Sequence, residues 1–137
     1  VAFFYITSDN KVVVRKSTDY VPKMIEIAGA RYAFSDLDDD SDRTSVDMSV
    51  ETFYDTAVDA DYIIYNGSID GSVKTMEDLL AKDPIMKELK AVKDDKCWVT
   101  GDSMYQRTDI VADMILDFHK ALTEDDPSDL KYLQKLQ

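Results

Sequence analysis

Residues 49–67, SVETFYDTAVDADYIIYNG, are the stretch whose reading decides the fold. Ser49 is placed to cap a helix, its hydroxyl accepting a backbone N–H, and Val50, Phe53, Tyr54, Ala57 and Val58 follow at i, i+3, i+4, i+7 and i+8. That recurrence lays an apolar stripe along one face and leaves Glu51 on the other, in a first turn where the helix dipole favours negative charge. Asp59, Ala60 and Asp61 turn the chain. Tyr62, Ile63, Ile64 and Tyr65 are then apolar on both alternating faces, as expected of a strand covered on both sides in a parallel sheet; Asn66 and Gly67 end it. A capped helix feeding a doubly buried strand belongs to an α/β protein.

Toward the N-terminus, residues 1–7 read as another two-face-buried strand, closed by the turn signal Ser8, Asp9, Asn10, with Val12 to Val14 adding a short edge strand. A helix starts near Ser17 or Thr18. It tolerates the early Pro22, carries Val21, Met24, Ile25 and Ala28 on one face, and has Gly29 as its natural C-cap. Residues 31–34 are expected to form the next strand, so that the first 34 residues make a right-handed βαβ unit.

Toward the C-terminus, residues 66–72 are a Gly and Ser loop at the carboxyl end of a strand, the edge where open α/β sheets take ligands. It reads equally as a ligand loop or a plain connection. Residues 75–81 form a helix, 84–89 a further turn, and 96–100, KCWVT, a core strand. The loop 101–109, GDSMYQRTD, leaves on the same edge. Its Arg107 can clamp an anionic group bidentately, and Tyr105 can stack on that group or donate to it. The alternative for Arg107 is an ion pair with one of the many aspartates. A helix then carries Ile110, Val111, Met114, Ile115, Phe118 and Leu122. Beyond Pro127, Leu130, Leu133 and Leu136 imply a short C-terminal helix, making residues 123–137 a helical tail. The expected architecture is one domain over residues 1–137, a three-layer α/β/α sandwich on a mainly parallel sheet of about four to five strands.

A chain of 137 residues can bury a core without metals or disulfides. Its 16 basic against 28 acidic residues give a net charge of -12, which argues against nucleic acid or anionic membranes as partners. Cys97 is the single cysteine and reads as a packed thiol, with no Cys or His pair at metal-ligand spacing. His119, also single, reads as a surface or packed residue. No apolar run approaches the roughly 18 residues that span a bilayer, and no signal-peptide pattern opens the chain. Val1 lies inside an apolar run, which suggests a fragment of a longer protein.

Residues 35–47 form an acidic loop. Asp36, Asp38 and Asp40 match the first ligand positions of a calcium loop, but Ser41 stands where a glycine is wanted and Asp47 where a bidentate glutamate belongs. A solvated loop is the better account. No Gly-rich phosphate loop follows a strand and no GxSxG occurs, so no catalytic residue, metal site or intrinsic cofactor is assigned and an enzyme is not expected. A flavodoxin-like or receiver-type α/β domain and an acidic protein-interaction domain are the alternatives to a binding module.

The order of four phrases carries a resemblance: the opening strand and the helix ending KMIEIAGARY, then SVETFYDTAVDADYII, then DPIMKELKAVKDDKCWVTGD, and the Arg107 loop before the helix ending ILDFHKALTED. Together they resemble the C-terminal lobe of the helical-backbone (class III) substrate-binding proteins of ABC importers, which capture ferric siderophores, haem and cobalamin. Ala30 follows Gly29 where that family usually has a second glycine. The resemblance implies an N-terminal lobe absent from this chain, an extracytoplasmic protein of the periplasm or a membrane-anchored lipoprotein, and a metal chelate brought in as ligand. It implies ABC permease subunits as partners, with Glu51 in the SxE phrase docking on permease arginines; from the residues alone, Glu51 is an ordinary surface carboxylate. It places Tyr5, Tyr65, Asn66, Tyr105 and Arg107 as ligand contacts on loops facing the other lobe. A lobe parted from its partner exposes surface, so self-association of the isolated chain is expected.

Overall fold

The computed structural model describes residues 1–16, 20–34, 45–67, 69–100, 111–123 and 133–136. The strands are β1 (Ala2–Ile6), β2 (Lys11–Arg15), β3 (Ser45–Ser49), β4 (Ile63–Tyr65), β5 (Cys97–Thr100) and β6 (Leu133–Lys135). The helices are α1 (Tyr20–Ile27), α2 (Val50–Ala57), α3 (Met76–Lys82), α4 (Lys90–Lys93) and α5 (Val111–Thr123), with a 3-10 turn at Pro84–Glu88. One six-stranded sheet runs in the order β3-β2-β1-β4-β5-β6. Its centre, β1, β4 and β5, is parallel, and β2, β3 and β6 join by antiparallel pairing. The α/β class is as expected, with six strands in place of four or five and a parallel arrangement limited to the centre.

The helix-to-strand stretch forms as its pattern predicts. Ser49 accepts from the Thr52 N–H at 3.2 Å and caps α2. Val50, Phe53 and Ala57 are buried, Tyr54 and Val58 pack beside them, and Glu51 is exposed. Phe53 lies 4.4 Å from Phe4 of β1 and 5.7 Å from Phe34, ring centre to ring centre, which fastens α2 to one face of the sheet. Complete burial of such a side chain contributes on the order of 2–3 kcal/mol, and each aromatic pair about 1 kcal/mol more. The side chains of β4 and β5 are buried on both faces, as a sheet between helical layers requires.

Four expectations change. Residues 31–34 are not a strand: Tyr32 and Phe34 are buried, but the backbone of the stretch bonds to Val1, just before β1, whose amino group donates to the Arg31 carbonyl and whose carbonyl accepts from the Ala33 N–H. The alternating aromatics plug the core instead, Tyr32 donating its hydroxyl to the Arg15 carbonyl at 2.6 Å. No βαβ unit therefore closes within the first 34 residues, and the parallel step from β1 reaches β4 only after β2, α1, β3 and α2. Val12 to Val14 do not form an edge, because β3 pairs outside β2. That same strand takes residues 45–47 out of the acidic loop and pairs Asp47 with Val13; residues 35–44, with the calcium-loop candidates Asp36, Asp38, Asp40 and Ser41, lie outside the described residues.

The fourth change is at the C-terminus. Leu133 and Leu136 are buried as their spacing suggests, but not on a helix: Leu133 lies on a strand that pairs with β5, and Leu136 follows it, its N–H donating to the Cys97 carbonyl. The buried Asp117 of α5 accepts from the Leu133 N–H at 3.3 Å, tying that helix to β6. Elsewhere on α5, the Nδ1–H of His119 donates to the Ala28 carbonyl at 2.9 Å, and Cys97 is buried on β5.

The cap on α2 has a measurable consequence. Ser49→Ala should lower unfolding stability by about 1 kcal/mol in urea titrations, while Ser49→Asp should leave it nearly unchanged. Equal losses in both variants would show that the hydroxyl does something other than cap.

Candidate functional site

Strand directions define one edge as the place to look. β1, β4 and β5 are mutually parallel, and β3, antiparallel to a strand that is itself antiparallel to β1, points the same way. The carboxyl ends of four strands, at Ile6, Ser49, Tyr65 and Thr100, thus lie along one edge. From β1 the chain turns outward to β2, and from β4 it crosses the other way to β5. A divergence of this kind opens a crevice between neighbouring strand ends, the usual ligand position in an open α/β sheet.

At that crevice the ladder changes partners. The Asn66 N–H donates to the Phe4 carbonyl at 2.7 Å, and the next parallel bond would take the Ile6 N–H to the Asn66 carbonyl. Asn66's carbonyl instead accepts from Ile69 and Asp70 as the loop turns away. Ile6 is served by the Tyr65 hydroxyl at 3.1 Å, and that hydroxyl donates to Asp70 Oδ2 at 2.6 Å. Asp70 also accepts from the Ser72 N–H at 3.1 Å and the Ser72 hydroxyl at 2.6 Å, and pairs with Lys82 Nζ of α3 at 2.9 Å. One carboxylate thus ties the loop after β4 to β1, through Tyr65, and to α3.

The electrostatics follow from this geometry. Burial acts to raise the Asp70 pKa, but the bonds from Ser72, Tyr65 and Lys82 outweigh it and bring the carboxyl down to about 2. Burial first, and the Asp70 carboxylate second, push the Tyr65 hydroxyl upward from its ordinary value, so it stays a neutral donor.

Gly67 brings a second contact to the same edge. A Cβ there would meet the Thr100 carbonyl oxygen at 2.3 Å and Val99 Cγ2 at 2.7 Å. The ends of β4 and β5 can approach this closely only because residue 67 has no side chain.

Of the residues nominated from sequence, Tyr65 and Asn66 are in place at the edge but buried, 0% and 1% exposed. Tyr5, near the end of β1, is half-buried and close enough to Tyr65 to influence its ionisation. Glu51 is exposed beside the end of β3, flanking a shallow groove of about 290 Å³ lined also by Asn10, Lys11, Asp47, Met48, Ser49 and Val50. Tyr105 and Arg107 lie outside the described residues, although the chain enters their segment from Thr100 on this edge. Sequence reasoning passed over Asp70, Ser72 and Lys82. The signal available was an Asp between Ile69 and Gly71 shortly after a strand-ending tyrosine, which by itself marks only a turn. Among the described residues no group of three or more His, Cys, Asp or Glu is placed to hold a metal ion, and no helix is long and apolar enough to cross a membrane.

Comparison with known proteins adds the fold's affiliation. No protein-family model matches the chain. A possible iron-binding, periplasmic solute-binding protein from Staphylococcus epidermidis superposes with a TM-score of 0.61 at 14% identity, covering 89% of this chain and 45% of that one. The chain shares the fold of one part of that protein. The holo-ViuP structure superposes with a TM-score of 0.58 at 13% identity, over 93% of this chain and 46% of that one. In sequence, an uncharacterized lipoprotein of Methanocaldococcus jannaschii is 31% identical over 142 aligned residues, which take in 100% of this chain and 35% of the relative. The chain therefore spans about a third of that relative and less than half of either solved structure.

Two outcomes test the edge. Gly67→Ala should destabilise by about 2 kcal/mol in urea unfolding, since neither the Thr100 carbonyl nor β4 can move aside cheaply. A neutral substitution would mean that the two strand ends are not held together. Asp70 has its folded pKa depressed, so its stabilisation is complete above the ordinary carboxylate range near pH 4 and is lost as pH falls through about 2. Wild-type stability should accordingly fall across that window. Asp70→Asn should be less stable at neutral pH and show a shallower fall; parallel pH curves would refute the assignment.

Proposed function

We propose that this chain is the C-terminal lobe of an extracytoplasmic solute-binding protein that serves an ABC importer, with an iron-siderophore or a similar metal chelate held between its carboxyl strand edge and a second lobe. The observation that carries this reading is the shared edge. Four strand ends lie along it, with a braced loop between β1 and β4, in a fold that accounts for less than half of each solved relative. The remaining length of those relatives leaves room for the second lobe. The description of one neighbour as a possible iron-binding solute-binding protein supports the ligand class, and the lipoprotein relative supports a location outside the cytoplasm. In this reading the metal arrives inside its organic ligand, so the lobe needs neither metal ligands nor catalysis of its own. Flavodoxin-like and receiver readings gain no support from these relatives.

Within the proposal the nominated residues divide by exposure. Tyr5, and Tyr105 and Arg107 beyond Thr100, are the ligand-facing candidates, whereas Tyr65 and Asn66 act from behind, holding the loop that faces the ligand. Glu51 is the permease-docking residue. It is exposed at the outer end of the same edge, where a partner could touch it without crossing the crevice.

The two-lobed protein should show saturable quenching of Trp98 or tyrosine fluorescence with at least one of a ferric siderophore, haem or cobalamin. Absence of affinity for all three would remove the proposed ligand class. Glu51→Arg should abolish uptake in cells with ligand affinity unchanged within about twofold; loss of affinity would instead put Glu51 in the pocket.

A further inference from the structure

The loop from Asn66 to Ser72 has the sequence NGSIDGS, turn-forming residues with a single apolar exception, Ile69. That isoleucine is 48% exposed, while nearly all the other large hydrophobic side chains described are sheltered. One exposed isoleucine is ordinary on a protein surface. Its setting is not, because the segment around it is ordered by a polar cluster centred on Asp70. Ile69 donates its N–H to the Asn66 carbonyl at 3.3 Å, and the next residue, Asp70, is held by Tyr65, Ser72 and Lys82. Charge-assisted bonds on one carboxylate therefore fix the residue adjacent to an apolar side chain left in water.

Its position gives the ordering a use. Ile69 lies just beyond the end of β4, on the edge where β1 and β4 part, with the half-buried Tyr5 near the end of β1. Binding crevices combine apolar and aromatic contact surface with a few polar groups, and contact surface fixed in advance avoids the entropy of ordering a loop when the ligand arrives.

We infer that Ile69 is a specificity-determining contact for an apolar or aryl face of the bound chelate, and that Asp70 is the positioning residue that holds it there. The inference rests on the solute-binding reading above and adds to it the kind of ligand surface preferred. Asp70 has no contact with the ligand in this scheme and acts through the loop alone.

The test uses the two-lobed protein, fluorescence titration, and two probes, a ferric tris-catecholate that presents aryl surface and a ferric trihydroxamate with an aliphatic backbone. Ile69→Ser should weaken the tris-catecholate about tenfold, the scale of one apolar group lost from a pocket, and the trihydroxamate by much less. Because Ile69 is exposed, its replacement should leave the urea midpoint unchanged, which separates lost contact from lost folding. Asp70→Asn should also weaken the tris-catecholate, and in the double variant the two losses should fail to add, since both remove the same contact. Equal affinity of wild type and Ile69→Ser for the tris-catecholate would overturn the assignment of Ile69. Full additivity would overturn the positioning role of Asp70. Failure of the wild type to bind either probe would count against the chelate reading itself, a result distinct from both.

Discussion

The hydroxyl of Tyr65 is the contact on which the carboxyl edge of the sheet depends. Its ring is buried against Phe4, edge to face at 5.4 Å, so the side chain cannot swing away without opening the core. From that anchored position one oxygen accepts from Ile6 and donates to Asp70. The parallel ladder between β1 and β4 can therefore end without orphaning the Ile6 N–H, whose desolvation would otherwise cost on the order of 1–3 kcal/mol. Packing holds the ring, the ring holds the hydroxyl, and the hydroxyl holds the loop.

This arrangement explains how a strongly acidic chain builds a firm edge from small turn residues. The loop after β4 has almost nothing to bury, so hydrophobic contact cannot order it. A partly buried carboxylate with donors from Ser72, Tyr65 and Lys82 can, and the same donors keep that carboxylate ionised against the effect of burial. Gly67 completes the edge by letting β4 and β5 end in near contact. The edge is thus set by one aspartate, one tyrosine and one missing side chain, none of which resembles a functional motif when read in isolation.

The outer strands show where local pattern stops being informative. β3 is polar, and its residues are partly buried or exposed, so nothing in SVDMS announces a strand until β2 offers it a partner. Leu133 of β6 and Leu136 just after it have a spacing that suits a helix, yet β5 has a free side and the chain pairs with it. Residues 31–34 err in the opposite direction: their alternating aromatics suit a strand, but the sides of β1 are already taken by β2 and β4. In each case the choice depended on which hydrogen-bonding edges remained open.

What the amino-acid sequence determined by itself was the α/β class, the capped helix α2 with its Val50, Phe53 and Ala57 stripe, the buried strands β1, β4 and β5, and the exposure of Glu51. These are written in periodicity and capping, which act over a few neighbouring residues. Tertiary structure alone decided that β3 runs parallel to β1, and so brings Glu51 to the same edge as the loops after β1 and β4. It also decided that Tyr65, a plausible ligand contact from its place at a strand end, faces inward to Asp70. Strand order and hydrogen-bond partnership join residues far apart in the chain, and no local pattern encodes which of the available partners a backbone group will find.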